Sequence, residues 1–262
     1  MRKQSALAFS IPTETENQQQ SLFGRFREFG FNGLQLKSGQ YLRYLDEPNR
    51  FQDEWGLDPG QVSGLIFGDD LADGGARLRS VIRFANRVGS ERVIFCHGQS
   101  RLSLTGQRLK EYAQQLSAIA GDARTQDVAL SLHNHFDQPV MTENDLERFF
   151  SHVEGDTLTL TVDTAHFAKS GVEEIAPIIR NYESFLDNVH LKDIFNNEFK
   201  TLGEGEIEFA SIFQALQAIE YSGWLCADEE SGAGIVDGMN AASAFIRERV
   251  RAAELLGGKI NG

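Results

Sequence analysis

Apolar and polar positions along the chain alternate between two rhythms. Short runs rich in β-branched and aromatic residues predict strands over 6–11, 33–37, 61–67, 92–97, 127–133, 157–163, 188–192 and 223–228. Their starts recur at roughly 30-residue intervals, the length of a strand-plus-helix unit. Between them the period changes to that of a helix. In "GARLRSVIRFANRVG" the residues Leu78, Val81, Ile82, Ala85 and Val88 share one face, and Leu109, Tyr112, Leu116 and Ile119 do so in the segment that follows the fourth strand. Thr142 followed by Asp145 forms a capping box that starts another helix, and a last helix is predicted over 237–256.

Repeated strand–helix units leave an open doubly wound sheet or a closed barrel. No dinucleotide-type glycine motif follows the first strand, and eight units of similar size favour closure. The expectation is a single α/β domain over 1–262, a (β/α)₈ barrel. The stretch 40–60, "QYLRYLDEPNRFQDEWGLDPG", is interrupted by Pro48 and Pro59 and is expected to be a long loop with a short helix, serving as part of a lid.

Composition narrows the function classes. A net charge of -13 and a pI near 4.9 argue against a nucleic-acid partner, which needs clustered Lys and Arg. The apolar run after Arg2 and Lys3 is too short for a signal sequence, and no stretch reaches membrane-spanning length. Cys96 and Cys226 sit inside apolar strands and are expected to be reduced and buried. Together these point to a cytoplasmic protein with no membrane partner.

The chemistry concentrates at strand ends. Of six histidines, five lie there: His97, His133, His135, His166 and His190. The acidic run Asp228-Glu229-Glu230 ends the last strand. In a (β/α)₈ barrel the active site forms at the C-terminal ends of the strands, so His133, Asp163, His190 and Asp228 are expected to converge as ligands of one divalent metal. Two imidazoles with two carboxylates suit Mn²⁺, Zn²⁺, Co²⁺ or Fe²⁺ better than Mg²⁺. Lys192 shares a strand face with His190. Lys192 could bind a substrate oxygen and is a candidate catalytic group, and His97 closes strand four, where it would line the pocket.

The segments "SLHNH", "LTVDTAHFAKSG", "NVHLKD" and "LGEGEIEFASIFQALQAIEYSGWLCADEESG" resemble the sugar phosphate isomerase/epimerase superfamily with the xylose isomerase-like TIM barrel. That resemblance implies one metal held by Glu, Asp, His and Glu at the ends of strands five to eight. Asp163 and His190 match in type; His133 and Asp228 replace the two glutamates. "HNH" is similar to inosose dehydratases, in which the first position is often not glutamate. The resemblance further implies proton transfer by the catalytic candidates Asp228 and Glu230, substrate contacts by His166, Gln35, Lys37 and Glu206 beside His97, and a small keto-sugar, sugar phosphate or cyclitol as the partner molecule. It implies a metal-dependent isomerase or epimerase that removes a proton beside a polarised carbonyl, with a dehydratase-type lyase as the alternative. A DNA-repair endonuclease of the same superfamily fits less well, because the loop after His190 lacks further histidines. A non-catalytic binding protein is the reading from another class. The family includes dimers and tetramers, and the sequence leaves the oligomeric state open.

Overall fold

The computed structural model describes residues 5–103 and 106–257, the side chains of 252–257 excepted. Ten strands are present among these residues: β1 (Ala6–Ser10), β2 (Gly33–Leu36), β3 (Val62–Asp69), β4 (Arg92–His97), β5 (Ala129–His133), β6 (Leu158–Asp163), β7 (Leu186–Leu191), β8 (Asp193–Phe195), β9 (Glu198–Lys200) and β10 (Trp224–Asp228). Eight of them close into a parallel barrel in the order β1-β10-β7-β6-β5-β4-β3-β2, while β8 and β9 pair as an antiparallel hairpin. Every predicted strand is present, with ends displaced by at most two residues; such displacement is normal at element ends.

The helices are α1 (Glu16–Arg25), α2 (Ser38–Tyr41), α3 (Pro48–Trp55), α4 (Ala76–Val88) and α5 (Gln107–Arg124), followed by α6 (Glu143–Phe150), α7 (Thr164–Lys169), α8 (Ala176–Asn181), α9 (Phe209–Ala218) and α10 (Ile235–Gly257). The apolar faces anticipated on α4 and α5 are buried. Thr142 accepts from the Asp145 N–H and starts α6 as the capping box requires. Among the described residues, no helix is long and apolar enough to cross a membrane.

The segment 40–60 carries the expected short helix, α3, but the rest of the expectation fails. Pro48 takes the first position of α3, where its missing N–H is no loss, rather than interrupting the chain. Tyr41, Tyr44 and Phe51 are fully buried, and Phe51 packs edge-on against Phe23, Tyr44 and Phe84. A segment that buries three aromatic rings is core, so it is not built as a lid.

Two register shifts shape the barrel interior. Between β6 and β7, Leu160 pairs with Leu186 but Thr161 pairs with Asn188, leaving Asp187 as an extra residue. Between β2 and β3 the step from Leu34/Val62 to Gln35/Gly64 leaves Ser63 extra. Such bulges turn a side chain that simple alternation would send to the other face.

Candidate metal centre and its surroundings

Three of the four expected ligands come together. His133, Asp163 and His190, ending β5, β6 and β7, each present a donor atom, and these atoms lie within 4.8 Å of one another. All three side chains are almost wholly shielded from solvent. His133 Nε2 is 3.4 Å and His190 Nδ1 is 3.6 Å from the same oxygen, Asp163 Oδ2.

Each donor is aimed by its other contacts. Asp163 Oδ1 accepts from the His166 N–H at 2.9 Å and caps α7, which leaves Oδ2 for the centre. The Asn134 amide, just after β5, clamps Asp163, accepting from its N–H at 2.7 Å and donating to its carbonyl at 3.0 Å. His190 Nε2 lies 2.7 Å from the Gln35 carbonyl oxygen, so Nε2 carries the proton and Nδ1 has a free lone pair. That buried Nδ1 has no hydrogen-bond partner, as a ligand atom awaiting a cation would not. His133 Nδ1 faces Cys96 Sγ at 3.5 Å, with Nε2 left toward Asp163. Two imidazole nitrogens and one carboxylate oxygen are a donor set that fits a borderline transition ion.

Asp228, expected as the fourth ligand, stands beside this triad with Oδ2 at 3.8 Å from His190 Nδ1. Its carboxylate is engaged by two ammonium groups: Lys37 Nζ on Oδ1 and Lys192 Nζ on Oδ2, both at 2.6 Å. The same lysines hold Glu230, at 2.7 and 2.8 Å. The strand stops at Asp228, yet Glu230 still reaches the pocket through these bridges. Glu229, the neighbour in the acidic run, instead accepts from the Ser231 N–H at 2.5 Å.

The charges explain the protonation states. Burial alone would raise the Asp163 carboxyl, but the Lys192 charge and the histidine contacts override it and hold it well below the usual range. Burial opposes the charge on Lys192, yet Asp228, Asp163 and Glu230 raise its ammonium well above the ordinary value. Asp228 and Glu230 are likewise depressed, burial being outweighed by the two lysines for Asp228 and by the same pair against Asp228 for Glu230.

Two further histidines flank the triad. His135 and His166 stack with ring centroids 3.8 Å apart, and His166 lies 5.5 Å from the His133 ring. Burial, aided by His133, lowers His135 to about 4, and burial lowers His166 to about 2, so both are neutral near pH 7. Phe199, on the β8–β9 hairpin, covers this pair: its ring is 5.3 Å from His166, with Lys192 and Lys169 ammonium groups each 4.8 Å from its centre.

The remaining expected contacts are placed elsewhere. His97 follows Phe95 by two residues and shares its outward face; its ring packs against Phe95, Tyr112 and Phe149, and it does not join the site. Burial lowers it to about 3. Gln35 is buried under His190 and serves that ring rather than open pocket. Glu206 is exposed on its loop, tied by its backbone N–H to the Ile194 carbonyl, and joins none of the ion pairs of the site. Sequence reasoning missed Asp193, whose carboxylate accepts from the N–H groups of Gly203, Gly205 and Ile207 and so fastens the "GEG" loop. A Cβ at Gly205 would collide with that carboxylate, which explains the glycine. Cys96 and Phe199 were missed as site neighbours too; Phe199 lies in a polar run, "NNEFK", with no periodic signal.

Comparison with known proteins agrees with this geometry. Residues 64–249 match the family model described as xylose isomerase-like TIM barrel, and the chain belongs to that family. It is 25% identical over 265 aligned positions to an inosose dehydratase of Yersinia enterocolitica, covering 85% of this chain and 86% of that protein. It is 24% identical over 237 positions to the rhizopine catabolism protein MocC of Rhizobium meliloti, covering 78% and 72% respectively. Among solved structures, an L-ribulose 3-epimerase superposes with a TM-score of 0.79 at 18% identity over 98% of both chains, a likeness of fold.

Proposed function

We propose that the protein is a divalent-metal-dependent enzyme that removes a proton beside the carbonyl of a small keto-sugar or cyclitol, and that loss of water completes the reaction. Isomerisation or epimerisation shares the first step and is the second reading. The observation that carries the choice is one-sided: apart from Asp163, the carboxylates of the site, Asp228 and Glu230, sit together at and just after the end of β10. Three strands round the barrel, β5 presents His133 in place of an acid. Two-face epimerisation by a pair of carboxylates therefore lacks its second base.

His133, Asp163 and His190 would hold the ion, with Asp228 alongside. The ion would supply polarisation of the substrate carbonyl. The Glu230 side chain is 31% exposed while that of Asp228 is 3% exposed, so Glu230 is the carboxylate that faces an incoming substrate. Two lysines keep it ionised and ready to take a proton. Lys192 then faces the negative charge that develops on the substrate oxygen. The proton held by Glu230 passes to the leaving hydroxyl on the same face, which departs as water. His166 donates a hydrogen bond as a neutral imidazole, and Phe199 excludes water above it.

Charge pairing also favours a substrate without phosphate. Arg101 is engaged by both oxygens of Asp145, and Lys37 and Lys192 are both neutralised by carboxylates. The inosose dehydratase likeness supports the cyclitol class as a first choice. The test is a panel of inososes and keto-sugars in D₂O with Mn²⁺, followed by NMR. Deuterium entry with formation of a dehydrated product is expected. Exchange with every hydroxyl retained would move the assignment to isomerisation, and no exchange by metal-loaded protein on any member would overturn proton abstraction.

A further inference from the structure

The bore of this barrel is polar where alternating layers of aliphatic side chains are usual. A continuous line of hydrogen bonds runs along it from the end that opens away from the site. Arg92 Nε lies 3.2 Å from Asp187 Oδ2. Ser131 Oγ donates to Asp187 Oδ1 at 2.8 Å and lies 2.7 Å from Thr161 Oγ1. The Asn188 amide nitrogen is 3.3 Å from Thr161 Oγ1, and the Asn188 carbonyl oxygen accepts from Gln35 Nε2 at 2.7 Å. The Gln35 carbonyl oxygen ends the line at His190 Nε2.

The far end of this series has no choice of direction, because the Arg92 guanidinium can only donate to Asp187. An ionised carboxylate can only accept, so Ser131 must spend its proton on Asp187. Ser131 can then only accept from Thr161, and Thr161 only from the Asn188 amide. That turns the Asn188 carbonyl toward Gln35 and the Gln35 carbonyl toward His190. Without the anchor, the paired amides of Asn188 and Gln35 could both turn over, and an amide N–H would then face His190 Nε2. His190 would carry its proton on Nδ1, the atom that must be bare to bind a cation.

We propose that Asp187 is a positioning residue that sets the tautomer of His190, and through it the metal affinity of the site, from the opposite end of the barrel. Two features of the chain support it. The extra residue in β7 opposite Leu160 and Thr161 turns Asp187 inward, although Asn188 and His190 point there by alternation. Gly64 leaves space for the stems of Arg92 and Gln35, which a Cβ there would approach to 3.1 and 3.4 Å.

The inference rests on reading His190 as a ligand through Nδ1, and its test does not use turnover. In metal-stripped protein, ¹⁵N NMR of the imidazoles should show His190 protonated on Nε2 in the wild type. Thr161→Val removes the middle link and should give mixed tautomers with about ten-fold weaker Zn²⁺ binding, the lower end of the range for lost outer contacts of a metal site. Thr161→Ser should restore both, and Asp187→Asn should shift the tautomer from the far end. Ser131→Ala serves if Thr161→Val does not fold. A His190 tautomer that stays pure Nε2–H in the folded cut variants overturns the proposal, whatever happens to affinity. If the tautomer responds but no keto-polyol is ever turned over, the functional reading fails and this one stands.

Discussion

His135 and His166 are held in opposite tautomers by a single residue between them. The Phe136 N–H donates to His166 Nδ1 at 3.3 Å, and the Phe136 carbonyl accepts from His135 Nδ1 at 2.8 Å. His166 therefore presents an Nε2–H donor and His135 an Nε2 lone pair, so the two rings present one donor and one acceptor side by side. The expected ¹⁵N spectrum at pH 7 has His135 protonated on Nδ1 and His166 on Nε2. The reverse pattern, or two protonated rings, would refute the pairing.

The triad predicts one transition ion per chain. Asp163→Ala and His190→Ala should each weaken Zn²⁺ or Mn²⁺ binding by more than about 100-fold, the upper end seen for outer contacts alone. Elemental analysis after dialysis measures it; two variants that both keep a full complement of metal would refute the assignment. Because protons compete with a cation for His133, where burial is outweighed by contacts with Cys96 and Asp163 that raise its basicity, binding should weaken as the pH falls.

Asp228 and Glu230 share two lysines but should behave differently. Glu230→Gln should leave metal content intact and lower turnover by roughly 10²- to 10⁴-fold, the usual contribution of a proton-transfer group. Asp228→Asn should weaken metal binding as well. Lys192→Met strips buried Asp228 of one of its two ammonium partners and should lower stability by urea denaturation, by less than the about 3–5 kcal/mol expected for a wholly unpaired buried charge. Adding Asp228→Asn should recover part of that loss; no recovery would mean the lysine acts through packing alone.

His97 gives the fold an acid sensitivity separate from the site. Its folded pKa of about 3 lies below the ordinary 6.5, so the unfolded chain binds the extra proton. Stability is then fully present above about pH 6.5 and is lost as pH falls toward 3, with a slope of about 1.4 kcal/mol per pH unit for each such histidine. His135 and His166 add to the slope in the same direction. His97→Phe should flatten the dependence between pH 6.5 and 5, read from urea midpoints. An unchanged slope would place the sensitivity elsewhere.

His133→Glu should keep the metal, since a carboxylate is an acceptable ligand at that position, and should place a second base across from Glu230. The expected result is new epimerised product beside the dehydrated one. Complete loss of metal from this variant would remove the argument from asymmetry.

The barrel was legible because its strands are short, largely buried runs that recur at about 30-residue intervals between segments of helical period. Asp163 and His190 were legible because they end two such runs. The limits of sequence reading lie where alternation is broken or where partners come from far along the chain. His97 ends a strand as His133 does, but parity with Phe95 sends it outward into a ring cluster. Asp187 would be placed outside by counting, and only the register with β6 turns it inward. Lys37 and Lys192 are far apart in sequence, and nothing local foretells that both close on Asp228. The aromatic content of 40–60 could have signalled core, but its prolines and charges suggested a surface loop.

The lysine clamp has a consequence for the history of each molecule. Asp163, Asp228 and Glu230 crowd the mouth of the barrel, and two of their counter-charges belong to the chain itself. A newly made chain thus carries most of the charge balance its acidic mouth requires, and need not capture an ion in order to close its barrel. Any metal taken up by the triad would then arrive in a later, reversible event, set by supply rather than by folding. Chelation should silence the protein without melting it, leaving a folded reserve that the next available ion can recruit.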